Sequence, residues 1–145
     1  MNYHSEGPAW FAYVFPFIFV AGWLLVSAGV SEASGWRRLA KRFPAQMKPK
    51  KGNADGTISL GHGVGRQYGM YNLIATRSGL FIEVNLLFRF LHPPVMVPWK
   101  EVQPVDGGKY LWWHYRELYL ASEFTIQIYE RQHQAIASFI STDSP

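Results

Sequence analysis

The chain has 145 residues, no cysteine and a formal net charge of +4, which leaves room for one small domain beside a membrane segment. The lack of cysteine excludes disulfides, thiolate catalysis and the usual structural zinc sites. The charge is unevenly distributed: residues 31–52 carry seven bases and one acid, whereas residues 53–145 carry seven bases and eight acids. A basic excess confined to one segment favours a membrane surface as the partner and argues against nucleic acid.

Residues 9–30 are uncharged and mostly apolar. As a helix they extend about 33 Å, enough to cross a hydrocarbon core of about 30 Å. Basic flanks stay in the cytoplasm, so the sequence predicts a single-pass membrane protein with residues 1–8 outside and the C-terminal domain cytoplasmic. A cleaved signal peptide is the alternative, since residues 26–28 (Val-Ser-Ala) resemble a cleavage site. However, residues 1–8 lack the Lys or Arg that a signal peptide carries before its apolar segment.

Residues 34–43 are predicted to form a short amphipathic helix with Ser34 as its N-cap. Two arrangements fit the pattern: the helix lies in the headgroup layer, or it packs its apolar face on its own domain. The first arrangement predicts a membrane-surface set that consists of Trp36, Arg37, Arg38, Lys41, Arg42, Lys48, Lys50 and Lys51. The apolar face comprises Trp36, Leu39, Ala40 and Phe43. Residues 45–55, rich in Lys, Pro, Gly and Asn, are predicted to be a linker.

From residue 56 the pattern changes to the alternation that is typical of strands. A first strand is predicted at residues 57–60, and the glycines at positions 61, 63 and 65 indicate a turn or a bulged edge. Residues 70–76 and 80–86 predict a hairpin closed at residues 77–79. In its second strand, Leu80, Ile82, Val84 and Leu86 are predicted to be buried, and Glu83 and Asn85 to face solvent.

The C-terminal half continues with further strands and a last helix. A short edge strand is predicted at residues 95–97, because Pro98 cannot donate to a ladder. A strand at residues 110–120 is predicted after a turn at residues 106–108 (Asp-Gly-Gly). It is expected to pair with residues 124–129, with Phe124, Ile126 and Ile128 pointing inward. Residues 132–140 are predicted to be a helix, and residues 141–145 a frayed tail.

These elements predict an α+β fold that is mainly β: a bent antiparallel sheet or partly open barrel over residues 56–140, plugged by the C-terminal helix. This order resembles the pleckstrin-homology-like (PH-like) superfold, including the GRAM domains. The segments SGWRRLA (34–40), LFR (87–89), HPP (92–94) and VPW (97–99) also resemble a family of small bacterial single-pass membrane proteins with a short β-rich domain. That resemblance implies a location in the bacterial inner membrane and no activity.

The sequence offers no reaction centre. The five histidines are dispersed without metal-ligand spacing, and no serine lies in a G-x-S-x-G motif. Glu83 and Glu101 could form a carboxylate pair, but both are predicted to face solvent. We therefore predict no catalytic, metal or cofactor site, and an enzyme of unknown class remains an alternative function.

Two aromatic segments are candidate interfaces. In residues 87–91, Phe88 and Phe90 are hypothesised to enter the bilayer interface while Arg89 meets headgroups; the alternative is a strand that continues through the core. Trp112 and Trp113 lie in a second aromatic segment, where exposed rings indicate a protein partner or the bilayer. The predicted function is non-catalytic binding or scaffolding, with membrane lipids and a membrane protein as partners and a homo-oligomer left open. A secreted or periplasmic domain released by cleavage is the alternative.

Overall fold

The computed structural model of the chain describes residues 8–50, 57–65, 70–86 and 88–142. Most of the predicted N-terminal tail, the end of the C-terminal tail, Lys51 and Leu87 lie outside these residues. The elements are, in chain order, α1 (Ala9–Ala33), α2 (Trp36–Arg42), β1 (Ile58–Gly65), β2 (Met70–Thr76), β3 (Gly79–Val84), β4 (Val95–Val97), a 3-10 turn (Trp99–Glu101), β5 (Val102–Tyr110), β6 (Trp113–Leu120), β7 (Phe124–Tyr129) and α3 (Glu130–Thr142).

The seven described strands form one antiparallel sheet in the order β4-β3-β2-β1-β7-β6-β5. β1 pairs with β2 along its length and, among the described residues, with β7 through Val64 and Gly65, so it joins a four-stranded half to a three-stranded half. The outer strands β4 and β5 do not pair with each other, and the described sheet is therefore unclosed. Together with the helix after β7, this confirms the predicted α+β, mainly β, class.

The hydrophobic core is formed by the two halves of the sheet together with α2 and α3. Ile136 of α3 is fully buried, and Phe139 stacks on Trp99 with 5.3 Å between ring centroids. Trp36 and Leu39 of α2 are fully buried in the same cluster. Each such side chain contributes about 1.5–3 kcal/mol relative to an exposed position. The apolar face of α2 is thus packed on its own domain, which is one of the two arrangements that the sequence left open.

The joint between α1 and α2 is two residues long. α1 extends to Ala33 and contains the whole of the predicted span, including Pro16. Gly35, with φ of 78°, occupies the N-cap of α2, and the hydroxyl of Ser34, one residue earlier, accepts a 3.4 Å hydrogen bond from the backbone N–H of Trp36. The prediction of Ser34 as N-cap was wrong, because so short a joint requires a left-handed residue immediately before Trp36, a conformation that glycine adopts without strain.

β1 follows the prediction in its bulge and departs from it in its position. The register with β2 shifts between Ser59 and Gly61, and Gly61 has a φ of 79°, so a bulge lies where the glycines predicted one. However, β1 lies in the middle of the sheet with neighbours on both sides. The prediction of an edge was therefore wrong.

The turn predicted at residues 106–108 was also wrong. These residues lie inside β5, where the pairing with β6 shifts register, and the chain reverses at Leu111 and Trp112. A Cβ on Gly107 would lie 1.7 Å from the carbonyl oxygen of Tyr115. Glycine is therefore needed at this position for close approach between strands, and not for a chain reversal.

The two predicted hairpins, β2–β3 and β6–β7, are confirmed. Within β3, however, the prediction of a solvent-facing Glu83 was wrong, because every residue of the strand is buried. Glu83 is buried because the segment after α2 lies against this part of the sheet. Pro44 forms a β-bridge with Val95 of β4, and Lys48 forms an ion pair with Glu83. β3 also ends at Val84, so Leu86, predicted to be buried, is exposed.

Candidate membrane interface

α1 presents apolar side chains to its surroundings on nearly all sides. Among the described residues it is the one helix that is long and apolar enough to cross a membrane, a property that signal sequences near an N-terminus share. A row of rings from Phe11 through Phe15 and Phe19 to Trp23 runs along one face, with neighbouring centroids 5.4–6.4 Å apart. This row continues from α1 onto the β domain, where Trp23 meets Phe88 at 5.1 Å.

The C-terminal part of α1 is attached to the domain by its polar residues. Ser27 and Ser31, four residues apart and therefore on the same helix face, are both buried. The hydroxyl of Ser31 donates a 3.0 Å hydrogen bond to the carbonyl of Leu91. From the other side, the indole Nε1 of Trp36 donates to the carbonyl of Pro93 at 3.1 Å. Residues 85, 86 and 88–92, which we call the apolar loop, and Pro93 after them are therefore held between α1 and α2.

The apolar loop is a series of tight turns. Phe88 N donates to the carbonyl of Asn85 at 2.9 Å, and His92 Nδ1 donates to the carbonyl of Phe88 at 3.0 Å. The alternative in which β3 continues through the core is therefore wrong. Leu86 and Phe90 are 77% and 84% exposed. These two side chains and Phe88 extend the apolar surface of α1 onto the domain.

Arg89 contacts Glu83, whose side chain is buried although it lies on the face of β3 that was predicted to meet solvent. Its guanidinium lies 3.4 Å from Oε2 of Glu83, while Lys48 bonds Oε1 and Asn72 donates to Oε1 at 2.8 Å. Burial by itself raises the pKa of Glu83, but the hydrogen bonds from Lys48 and Asn72 and the charges of Lys48 and Arg89 outweigh it and lower the pKa below its usual value. Glu83 thus ties the segment after α2 and the apolar loop to the sheet.

The members of the predicted membrane-surface set that the structure describes, all but Lys51, divide into three groups. Trp36 has no exposed surface, so its assignment to the membrane surface was wrong: its ring fills the domain core. Three bases pair with carboxylates: Arg37 with Glu32 at 3.2 Å, Arg42 with Glu101 at 3.4 Å, and Lys48 with Glu83. Arg38, Lys41 and Lys50 are exposed and make no ion pair with a carboxylate in the described part of the chain.

The second aromatic segment forms the tip of the β5–β6 hairpin. Leu111, Trp112 and Trp113 are 64%, 72% and 55% exposed, and Leu111 has a φ of 55°. β6 runs from this tip for about 23 Å, at about 3.3 Å per residue. Its far end leads into β7, where Phe124 touches Trp36 beside the α1–α2 joint. The hairpin tip and the apolar loop are therefore separate surfaces.

The acidic and histidine side chains of the described residues lie in several separate settings. No group of three or more His, Asp or Glu side chains that could hold a metal ion occurs among them. Glu83 and Glu101, considered as a pair, contact different cations. His92 is buried against Trp36, and burial lowers its pKa while the Phe88 carbonyl opposes that change. The prediction that the protein is not an enzyme stays a prediction.

Sequence reasoning missed the contact between α1 and the domain. The pair Ser27 and Ser31, four residues apart in a mostly apolar helix, could have predicted this contact. Polar residues in such a helix face protein more often than lipid. It also missed the partners of Glu83, because no local pattern shows that Lys48 and Asn72 converge on one carboxylate.

Comparisons with family models, with curated proteins and with solved structures found no match to this chain. The class of protein is therefore defined by its architecture alone: an apolar N-terminal helix attached to an α+β domain with a seven-stranded sheet.

Proposed function

We propose that the protein is a single-pass membrane protein of the bacterial inner membrane, whose cytoplasmic domain binds or scaffolds without catalysis. The continuous apolar surface from α1 to the apolar loop carries this proposal, because Trp23 and Phe88 join a membrane-length helix to exposed Leu86 and Phe90. Burying such a surface in lipid removes it from water. The bases that follow α1 favour a cytoplasmic domain.

The joint between α1 and the domain favours an anchor over a cleaved leader. Cleavage after Ala28 would separate Trp23 from Phe88, which it contacts, and would remove Ser27, which is buried. It would also cut a helix that is continuous to Ala33. A released periplasmic or secreted domain remains the second candidate, supported by the small residues at positions 26–28.

The order of the strands supports a PH-like domain as the binding module. A four-stranded meander is followed by three strands, β1 pairs across to β7, and α3 closes the chain. This arrangement resembles the PH-like superfold. A fold analogy supplies no ligand, so the binding surfaces must be argued from their own residues.

Anchoring predicts that the intact chain stays in the membrane pellet after alkaline carbonate extraction. A double variant, Val20→Arg with Leu25→Arg, is expected to lose insertion, since each arginine near the helix centre costs about 3 kcal/mol. Met47→Arg, at an exposed site outside α1, is the control and should remain in the pellet. A reporter fused after Pro145 should be active only when it is of the cytoplasmic type.

Intact full-length chain in the carbonate supernatant would contradict the anchor. A shortened chain there would instead favour the cleaved domain. Activity of an exported reporter would reverse the orientation and leave the anchor standing.

The hairpin tip is the surface that we assign to a membrane protein partner. Trp112 and Trp113 are large, exposed and adjacent, and aromatic residues of this kind concentrate binding energy in protein interfaces. Their separation from the apolar loop leaves the tip accessible to another protein while α1 anchors the chain.

A photo-crosslinking residue at position 112 is expected to yield a discrete product in intact membranes. The same residue at Met47, which is 83% exposed, is the matched control and should yield none. A product of twice the chain mass would identify a second copy as the partner. Equal products from both positions would argue against the tip as an interface.

A further inference from the structure

A cavity lies where α1, α2 and the apolar loop meet, with a volume of about 480 Å³. Cavities of about 300–1,000 Å³ are the size that holds small molecules. Ala28 and Ser31 line it from α1, Arg37 and Lys41 from α2, and Phe90 and Leu91 from the apolar loop. Three segments of the chain thus contribute one wall each.

The walls differ in chemistry. The side of Ala28, Phe90 and Leu91 is apolar, and the side of α2 carries two positive charges. The charge of Arg37 is shared with Glu32 at 3.2 Å, whereas Lys41 makes no ion pair with a described carboxylate. The cavity therefore combines an unneutralised cation with an apolar wall.

The position of the cavity selects the occupant. Ala28 lies near the C-terminal end of the apolar segment of α1, where a membrane-spanning helix reaches the headgroup layer. A molecule that enters from the side of α1 comes from the bilayer leaflet. Free phosphate matches the cationic wall alone and leaves the apolar wall without a contact.

We propose that this cavity binds one anionic phospholipid, with its headgroup phosphate at Lys41 and Arg37 and the start of its acyl chains against Ala28 and Phe90. This inference rests on the proposed anchoring of α1 in the membrane. The site explains why Phe90 is exposed beside a cation, and it provides a fixed lipid contact in addition to the general attraction between basic residues and an anionic leaflet.

The test is native mass spectrometry of the full chain, purified in detergent and supplied with phosphatidylglycerol or phosphatidylcholine. We expect retained phosphatidylglycerol on the wild-type chain and little phosphatidylcholine. Lys41→Gln should lower phosphatidylglycerol retention about fivefold, as the loss of one basic contact implies. Arg38→Gln removes the same charge from α2 outside the cavity and should leave retention unchanged.

A second variant separates a built site from diffuse charge. Ala28→Trp fills the apolar side without altering any charge, and it should lower retention as much as Lys41→Gln. Equal retention by all chains, an equal effect of Arg38→Gln, or an Ala28→Trp chain that binds normally would each overturn the proposal. Displacement of the lipid by inorganic phosphate would do so as well, by assigning the site to the free anion. All these results leave carbonate extraction unaffected, so failure of the lipid site is distinguishable from failure of the anchor.

Discussion

Replacing Trp36 with alanine is expected to destabilise the β domain by about 4 kcal/mol, the middle of the range for removing a large buried ring. The indole is fully buried and stacks on Tyr71 with 5.3 Å between centroids, while its edge meets Phe124 at 5.4 Å. The substitution also removes the donor to the Pro93 carbonyl. Hydrogen exchange of the β2 and β3 amides in the full chain should show the loss directly.

Two further variants provide a partial effect and a control for comparison with Trp36→Ala. Trp36→Phe keeps most of the ring packing and loses the Nε1 hydrogen bond, so a smaller loss of about 1–2 kcal/mol is expected. Trp112→Ala removes an indole that is 72% exposed, and its effect should stay within about 0.5 kcal/mol. If Trp36→Ala behaved like Trp112→Ala, α2 would not be part of the domain core.

Replacing Glu83 with glutamine is expected to lower the free energy of unfolding by about 1–2 kcal/mol at pH 7. The carboxylate is buried among Lys48, Arg89 and Asn72, and the glutamine leaves two cations without their counter-charge. A buried pair that loses one partner costs about 3–5 kcal/mol, but both cations here are partly exposed, so water reduces the effect. Urea unfolding of both chains in the same detergent measures the difference.

The same variant carries a pH signature. The folded-state pKa of Glu83 is lowered, so its stabilisation is fully present above the unfolded value of about 4.3 and is lost as the pH falls through the folded value. The difference in stability between wild type and Glu83→Gln should therefore shrink below about pH 4.3. His92 and Glu130, whose pKa values are also lowered, act equally in both chains and cancel in this difference. A difference that stays constant down to pH 2 would show that folding leaves the pKa of Glu83 unchanged, so that Lys48, Arg89 and Asn72 do not stabilise the carboxylate.

The β2–β3 and β6–β7 hairpins and α3 were predictable because their signals are local. Alternation over six residues and a turn at residues 77–79 specify a hairpin wherever the chain is placed. Likewise, Ile136 and Phe139 lie on one helix face by spacing alone, and the structure buries that face against the sheet.

The failures have a common origin in non-local contacts. Residues 106–108 carry turn chemistry but serve a bulge, because the neighbouring strand approaches within contact of Gly107. Glu83 follows the alternation of a solvent-facing residue, but Lys48 and Arg89 arrive from segments distant in sequence. The local sequence pattern contains no information on either of these two contacts.

For the candidate interface, the sequence by itself determined the membrane-length apolar helix, the basic segment after it and the aromatic identity of residues 88, 90, 112 and 113. These are properties of composition and spacing, which hold in any fold. Only the tertiary structure decided that Trp36 belongs to the core, that Trp23 meets Phe88, and that a cavity opens beside Lys41. Those facts depend on which surfaces the folded chain brings into contact, and these contacts are set by the packing of the whole domain.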